Sequence, residues 1–192
     1  MDQDIFEYKI IALGDSGVGK TSIFQRFSTN KFDDNILSTI GLSFSDKMLT
    51  LKNGEKVKLK LVDTAGQEKF NALTKSYYKN AQGVLFVFDH NDKESFEHIE
   101  KWIELFEENT NNNETPKFLI GNKNDLPKFD EQESFDDFIN KHNISHYIST
   151  SAKDNINITE IFKEMAEIMD SKNNKIITQH RKKGKILKPK CC

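Results

Sequence analysis

The stretch Gly14-Asp15-Ser16-Gly17-Val18-Gly19-Lys20-Thr21 follows directly on the apolar run Tyr8 to Leu13. It has the form G-x-x-x-x-G-K-[ST], placed between an expected strand and an expected helix over about residues 20–28. In such a loop, glycines let successive backbone N–H groups converge on phosphate oxygens. The lysine then reaches the β and γ phosphates, and the Thr21 hydroxyl is offered to Mg2+. The bland alternative is a Gly-rich turn with a surface lysine. By itself the loop implies a nucleoside triphosphate without saying which one.

Downstream, two apolar segments, 44–51 and 57–62, flank Asn53-Gly54, the dipeptide of a type I′ hairpin turn. In the second, Val57, Leu59 and Leu61 alternate with Lys56, Lys58 and Lys60, as expected of a strand with one wet face. Val84 to Phe88 and Phe118 to Ile120 read as strands buried on both faces. Phe96, Ile99, Ile103 and Phe106 fall at helical spacing, as do Ile158, Ile161, Phe162, Met165 and Met169, and a weaker helix is expected over about 131–141. Strands alternating with helices predict an α/β fold, a mostly parallel sheet covered on both faces.

Two later motifs bear on the base. Asn122-Lys123-Asn124-Asp125 follows a buried strand, and Ser151-Ala152-Lys153 lies further on. A carboxylate such as Asp125 can accept from both N1–H and the 2-amino group of guanine, a donor pair that adenine lacks. Alone, the first motif reads equally as an Asx turn. After a phosphate loop it points to guanine. Asp63-Thr64-Ala65-Gly66-Gln67 closes the third strand, where Asp63 can hold Mg2+, Gly66 can bring its N–H to the γ-phosphate and Gln67 can orient a water. Thr39 is a further candidate magnesium ligand.

The 192 residues suit a single domain with a substantial core. At 36% hydrophobic and 30% charged, with 15 Phe, the chain is neither disordered nor a disulfide scaffold. Its net charge of −2 conceals a split. Residues 1–170 hold all 30 acidic groups but only 20 of the 28 Lys and Arg, a formal −10, while 171–192 carry eight Lys and Arg and no acid, +8. Such a tail suits an anionic surface. The two cysteines, Cys191 and Cys192, both lie in it, which fits a reducing compartment. No apolar run approaches the roughly 20 residues of a membrane span, and no signal peptide is visible.

Taken together, these motifs resemble the Ras superfamily of small GTPases over about residues 5–170. Ser38-Thr39-Ile40-Gly41, the run DTAGQEKF from Asp63, Tyr77-Tyr78-Lys79-Asn80-Ala81 and the paired cysteines look most like the Rab family. The resemblance implies a P-loop NTPase with the small G-protein fold, a six-stranded mostly parallel sheet flanked by helices. It implies GTP and GDP with Mg2+, and slow GTP hydrolysis using Gln67 and Lys20. Phe32 would lie against the guanine and ribose, Ala152 would offer its N–H to the base carbonyl, and Lys123 would cover the base with its stem. Segments 32–44 and 66–79 would be nucleotide-dependent switches. Ile36, Leu37, Ser38, Thr39, Ile40, Gly41, Leu42, Ser43, Phe44, Val62 and Tyr77 would form the effector-facing region.

Two positions depart from the Rab pattern: Val62 stands for a customary tryptophan and Ser43 for an aspartate. Within a patch of Phe44, Val62 and Tyr77, the smaller side chain would weaken or redirect effector and exchange-factor binding. The resemblance also implies geranylgeranyl groups on Cys191 and Cys192, since the ending is not a four-residue C-a-a-X box. Two lipids and a basic leash from residue 171, flexible and spanning roughly 25 Å, would hold the G domain at a membrane. The expected partners are exchange factors, activating proteins, effectors, prenylation escort and GDP-dissociation inhibitor proteins, for a monomer that binds no nucleic acid. It would sit on the cytoplasmic face of a membrane, with a cytosolic pool, and act in vesicle traffic. A non-cycling guanine-nucleotide-dependent module and an ATP-dependent P-loop enzyme remain as alternative readings.

Overall fold

The computed structural model describes residues 5–34, 42–64, 78–110, 114–128 and 135–182. Its strands are β1 (Phe6–Leu13), β2 (Leu42–Thr50), β3 (Lys56–Thr64), β4 (Gly83–Asp89), β5 (Lys117–Asn122) and β6 (His146–Ser149). The helices are α1 (Lys20–Thr29), α2 (Lys93–Glu97), α3 (Ile99–Asn109), α4 (Phe135–Lys141) and α5 (Ile158–Lys182). The strands form one sheet in the order β2-β3-β1-β4-β5-β6, parallel except for the β2–β3 pair.

Period-2 alternation divides each central strand between two cores. Ile10 and Ala12 of β1, Leu59 and Leu61 of β3 and Leu85 and Val87 of β4 pack under α1 and α5. Ile11, Leu13, Val62, Val84 and Phe86 turn to the other face, under α3. On the first face, Phe162 of α5 stacks on Phe27 of α1 with ring centroids 3.9 Å apart, so these helices meet through an aromatic pair. Truncating such a buried ring to Ala costs on the order of 3 to 5 kcal/mol.

Chain order runs from β1 out to the β2–β3 hairpin and then returns across β1 to β4. The sheet therefore reverses direction beside β1, and a crevice opens at the carboxyl ends of the strands there, the usual ligand position in open α/β sheets. The fold class matches the expectation from sequence in strand number, direction and layering.

Several details differ. Gly54 alone in the hairpin turn has positive φ (85°), so the turn is not type I′. Gly54 N–H donates to Leu51 O and Leu51 N–H to Glu55 O, which defines a three-residue loop with the glycine in its left-handed position. The helical pattern through 96–106 breaks at His98, which ends α2 and precedes α3. The edge strand β6 carried no sequence signal, because its four residues are only partly buried. The segment from residue 171, read as flexible, continues α5 without interruption to Lys182.

Candidate functional site

The site is built at the carboxyl ends of β1, β3, β4, β5 and β6. The loop after β1 is shaped by its glycines. Gly19 has φ 97°, and a Cβ there would lie 2.2 Å from Asn122 Nδ2. Gly14 approaches β4 so closely that a Cβ would lie 2.1 Å from Val87 O. The loop leads into α1, whose N-cap, Gly19, makes no side-chain cap and whose first turn carries no acid. By contrast, Asp92 caps α2 by accepting from Glu94 N–H. The N-terminal amides and positive dipole end of α1 are thus presented for an anion.

Lys20, 5% exposed, donates its ammonium to the carbonyls of Gly14 (2.7 Å) and Asp15 (2.5 Å). Thr21 Oγ1 donates to Asp63 Oδ2 at 2.6 Å. A hydroxyl and a carboxylate this close are hard oxygen donors. They suit Mg2+, which takes few protein oxygens and completes its shell from water and phosphate.

Beside the loop lies a cleft of about 310 Å³. Its walls include Phe32 on one side and Asn122, Lys123, Asp125, Ala152 and Lys153 on the other, with Gly17 and Gly19 at its phosphate end. Lys123 has left-handed backbone (φ 61°), and its ammonium pairs with Asp89 Oδ2 at 2.7 Å, which fixes the head and leaves the stem along the cleft. Asp125 accepts from Ser151 Oγ at 2.6 Å. Asn122 is buried and ties two other segments to its own. Its Nδ2 donates to Val18 O (2.9 Å), while its Oδ1 accepts from Ala152 N–H (3.2 Å) and Thr150 Oγ1 (3.3 Å). A planar base in this cleft would meet a carboxylate at one edge and the Lys123 stem on one face.

The structure brings together Gly14, Asp15, Ser16, Gly17, Val18, Gly19, Lys20, Thr21, Asp63, Phe32, Asn122, Lys123, Asp125, Ser151, Ala152 and Lys153, all expected from sequence. Thr39, Gly66, Gln67, Tyr77, Cys191, Cys192 and the segment Ile36, Leu37, Ser38, Ile40 and Gly41 lie outside the described residues. One expectation needs correction. Val62 pairs in register with Phe44, but its side chain is 0% exposed and belongs to the core beneath α3, whereas Phe44 is 60% exposed. Ser43 is exposed on the edge strand β2. Of these three, only Phe44 and Ser43 offer side chains to a partner.

Three contributors escaped the sequence reading. Arg26 donates from Nε to Ala152 O (2.8 Å), from Nη2 to Lys153 O (2.8 Å) and from Nη1 to Asn30 O (2.9 Å), with its guanidinium 5.7 Å from the Phe32 ring centroid. His98 and Trp102 both bond the Asp15 carboxylate. No local pattern marks these residues, since apart from Asn30 their partners lie far away in the chain.

A phosphate loop, a Thr–Asp oxygen pair and a carboxylate-edged cleft at the carboxyl ends of the strands define a nucleotide-binding protein of the small G-protein class. The Ras family model matches residues 9–171. The Ras-related protein Rab-11B of Dictyostelium discoideum is 43% identical over 159 residues, 82% of this chain and 71% of that protein. The Ras-related protein SEC4 of Saccharomyces cerevisiae is 37% identical over 171 residues, 88% and 79% of the two chains. The Ras-related protein Rab-13 of Canis lupus familiaris is 35% identical over 186 residues, 95% and 90%. The chain belongs to the Ras family and, by these relatives, to its Rab branch. Members bind GTP and GDP with Mg2+ and hydrolyse GTP.

Proposed function

We propose that the chain is a membrane-anchored Rab-type switch of vesicle traffic, alternating between GTP and GDP states. The observation that carries this reading is the cleft itself. The base-edge carboxylate Asp125 and the N-cap Gly19 of the anion-ready helix line one cavity, and Thr21, in the first turn of that helix, holds the Asp63 carboxylate beside it.

The site residues then take the following roles. Asp125 accepts from guanine N1–H and the 2-amino group, Ala152 N–H donates to the base carbonyl, and Phe32 and the Lys123 stem cover the ring system. Lys20 exchanges its bonds to the Gly14 and Asp15 carbonyls for phosphate oxygens, which desolvated backbone N–H groups of the loop also meet. Thr21, Thr39 and Asp63 would hold Mg2+, which would supply positive charge to the phosphates. Gln67 orients the water that attacks the γ-phosphorus, and Gly66 N–H approaches the same phosphate.

The chain has two arginines, Arg26 and Arg181. Arg26 is committed to three main-chain carbonyls, and Arg181 lies beyond the domain in α5. Neither serves as an arginine finger, so turnover by the chain alone is slow and an activating protein accelerates it. Exchange factors and effectors meet the switch segments and exposed Phe44. Cys191 and Cys192, lipid-modified and preceded by basic residues, place the protein on a cytoplasmic membrane face, with an inhibitor-bound cytosolic pool.

Single-turnover hydrolysis of GTP by the parent and by Gln67→Leu tests the enzyme reading. Slow hydrolysis in the parent and a large loss in the variant are expected. A parent that binds GTP without hydrolysing it would favour the non-cycling module instead. For the anchor, a tagged chain should lose its membrane pattern when Cys191 and Cys192 are both replaced by Ser, and a pattern that persists overturns it.

A further inference from the structure

The phosphate loop is braced from behind by α3 and the residue preceding it. His98 Nδ1 lies 2.6 Å from Asp15 Oδ2, and Trp102 Nε1 donates to Asp15 Oδ1 at 2.8 Å, so both oxygens of one carboxylate are engaged from the same helix. The main-chain carbonyl of Asp15 in turn accepts from Lys20 Nζ. His98 occupies the break between α2 and α3, where its own N–H bonds Glu94 O and Phe96 O, so the ring is carried on a fixed backbone. It is 43% exposed at the side chain and open to solvent protons.

We propose that His98 is a positioning residue for the phosphate loop: its imidazolium neutralises and holds the Asp15 carboxylate, and loss of that proton loosens the grip on nucleotide. The sign follows from charge. Asp15 sits in a loop that receives an anionic ligand. Paired with imidazolium the carboxylate contributes little repulsion, whereas beside neutral imidazole it presents a full negative charge and a weaker hydrogen bond.

Among the described residues, three charged groups face His98. Asp15 comes from the phosphate loop, Glu94 from α2 with Oε1 3.9 Å from Nε2, and Lys101 from α3. The hydrogen bond to Asp15 acts most strongly, its charge adds to this, Glu94 acts in the same direction, and Lys101 opposes them. The balance raises the imidazole above its ordinary value near 6.5. A base so raised is protonated below the ordinary value and sheds its proton as pH climbs through the raised one. The effect therefore falls above the ordinary imidazole value.

This inference rests on the proposed nucleotide site, and the experiment separates the two. Release of fluorescent GDP from the Mg2+-loaded full chain is measured from pH 6 to 8.5 for the parent, His98→Asn and Asp15→Asn. The parent's rate should rise about three- to tenfold across that range relative to both variants, whose profiles should be flat apart from a shared component from the nucleotide phosphate. The NMR titration midpoint of the His98 ring in the GDP-loaded parent should coincide with the kinetic midpoint and fall in Asp15→Asn. Parallel profiles for parent and His98→Asn overturn the inference, as does a pH dependence that survives in Asp15→Asn. A parent that holds no GDP at all would instead overturn the nucleotide-site reading.

Discussion

Asn122 donates its side-chain amide to the carbonyl of Val18 at 2.9 Å across 104 residues of sequence, joining the base-binding loop to the phosphate loop. The same side chain accepts from Ala152 N–H and Thr150 Oγ1. Asn122→Ala leaves one buried carbonyl and two buried donors without this partner, at about 1 to 3 kcal/mol for each group left unsatisfied. Urea unfolding of the GDP-bound protein should show a loss on the order of 3 kcal/mol, with GDP release at least tenfold faster. A change below 1 kcal/mol in stability with unaltered release would show that the two loops are held by other contacts.

Asp125→Asn replaces a group that only accepts with one that also donates. Facing guanine's N1–H and amino group as proposed, an amide would satisfy one donor and oppose the other. Affinity for GDP should fall at least a hundredfold by competition binding, because a buried unmatched polar pair costs several kcal/mol. Ser151 Oγ keeps an acceptor in the variant, so thermal stability without nucleotide should change little.

Arg26→Ala removes three donors from the carbonyls of Ala152, Lys153 and Asn30. These bonds are charge-assisted but partly open to solvent, and a loss of about 1 to 2 kcal/mol is expected. Since they hold the Ala152 loop against α1, GDP release should speed up severalfold while the hydrolysis rate of bound GTP stays within twofold. Arg26→Lys should recover only part of the effect, because an ammonium cannot span carbonyls with a planar fork.

His90 is fully buried, with Nε2 3.1 Å from both Ser149 Oγ and Tyr147 OH. Burial pushes its pKa down to about 4, the Lys128 ammonium adds to this, and the Asp89 carboxylate opposes it. The unfolded chain therefore binds a proton near pH 6.5 that the folded chain refuses until about pH 4. Stability is lost as pH falls through that window. Unfolding free energies measured at pH 7 and pH 4.5 should differ more in the parent than in His90→Asn, by about 2 to 3 kcal/mol. An equal difference in the two proteins would assign the acid sensitivity to carboxylates alone.

What could be read from sequence follows a physical division. Lys20, Thr21, Asp63 and Asp125 stood out because motifs hold residue types at fixed spacing, and the structure brings them to the same ends of the strands. The buried strands stood out because burial on both faces leaves an unbroken apolar run. Arg26, His98 and Trp102 were not, because their partners are carbonyls and a carboxylate brought near by the fold. Asn53-Gly54 marked the hairpin but not its loop length, since a left-handed glycine serves two turn geometries. Val62 misled for a related reason. Register places it opposite Phe44, yet depth in the sheet decides exposure, and β3 is interior where β2 is an edge.

The uninterrupted course of α5 changes the mechanics of the tail. Tyr8 OH donates to Asp170 Oδ1 at 3.0 Å, and Lys172 Nζ donates to Glu114 O, so the helix is still fastened to the body where a leash was expected to begin. From Lys175 to Lys182 it rises about 10 Å further. A tether that starts at the body's surface lets the body tumble freely. A stiff spar of this length instead moves the start of the tail away from the body, and under the proposed lipid anchoring a pull on the tail would act on the sheet as through a lever. The bilayer would then constrain the angle at which the body meets a partner as well as its distance.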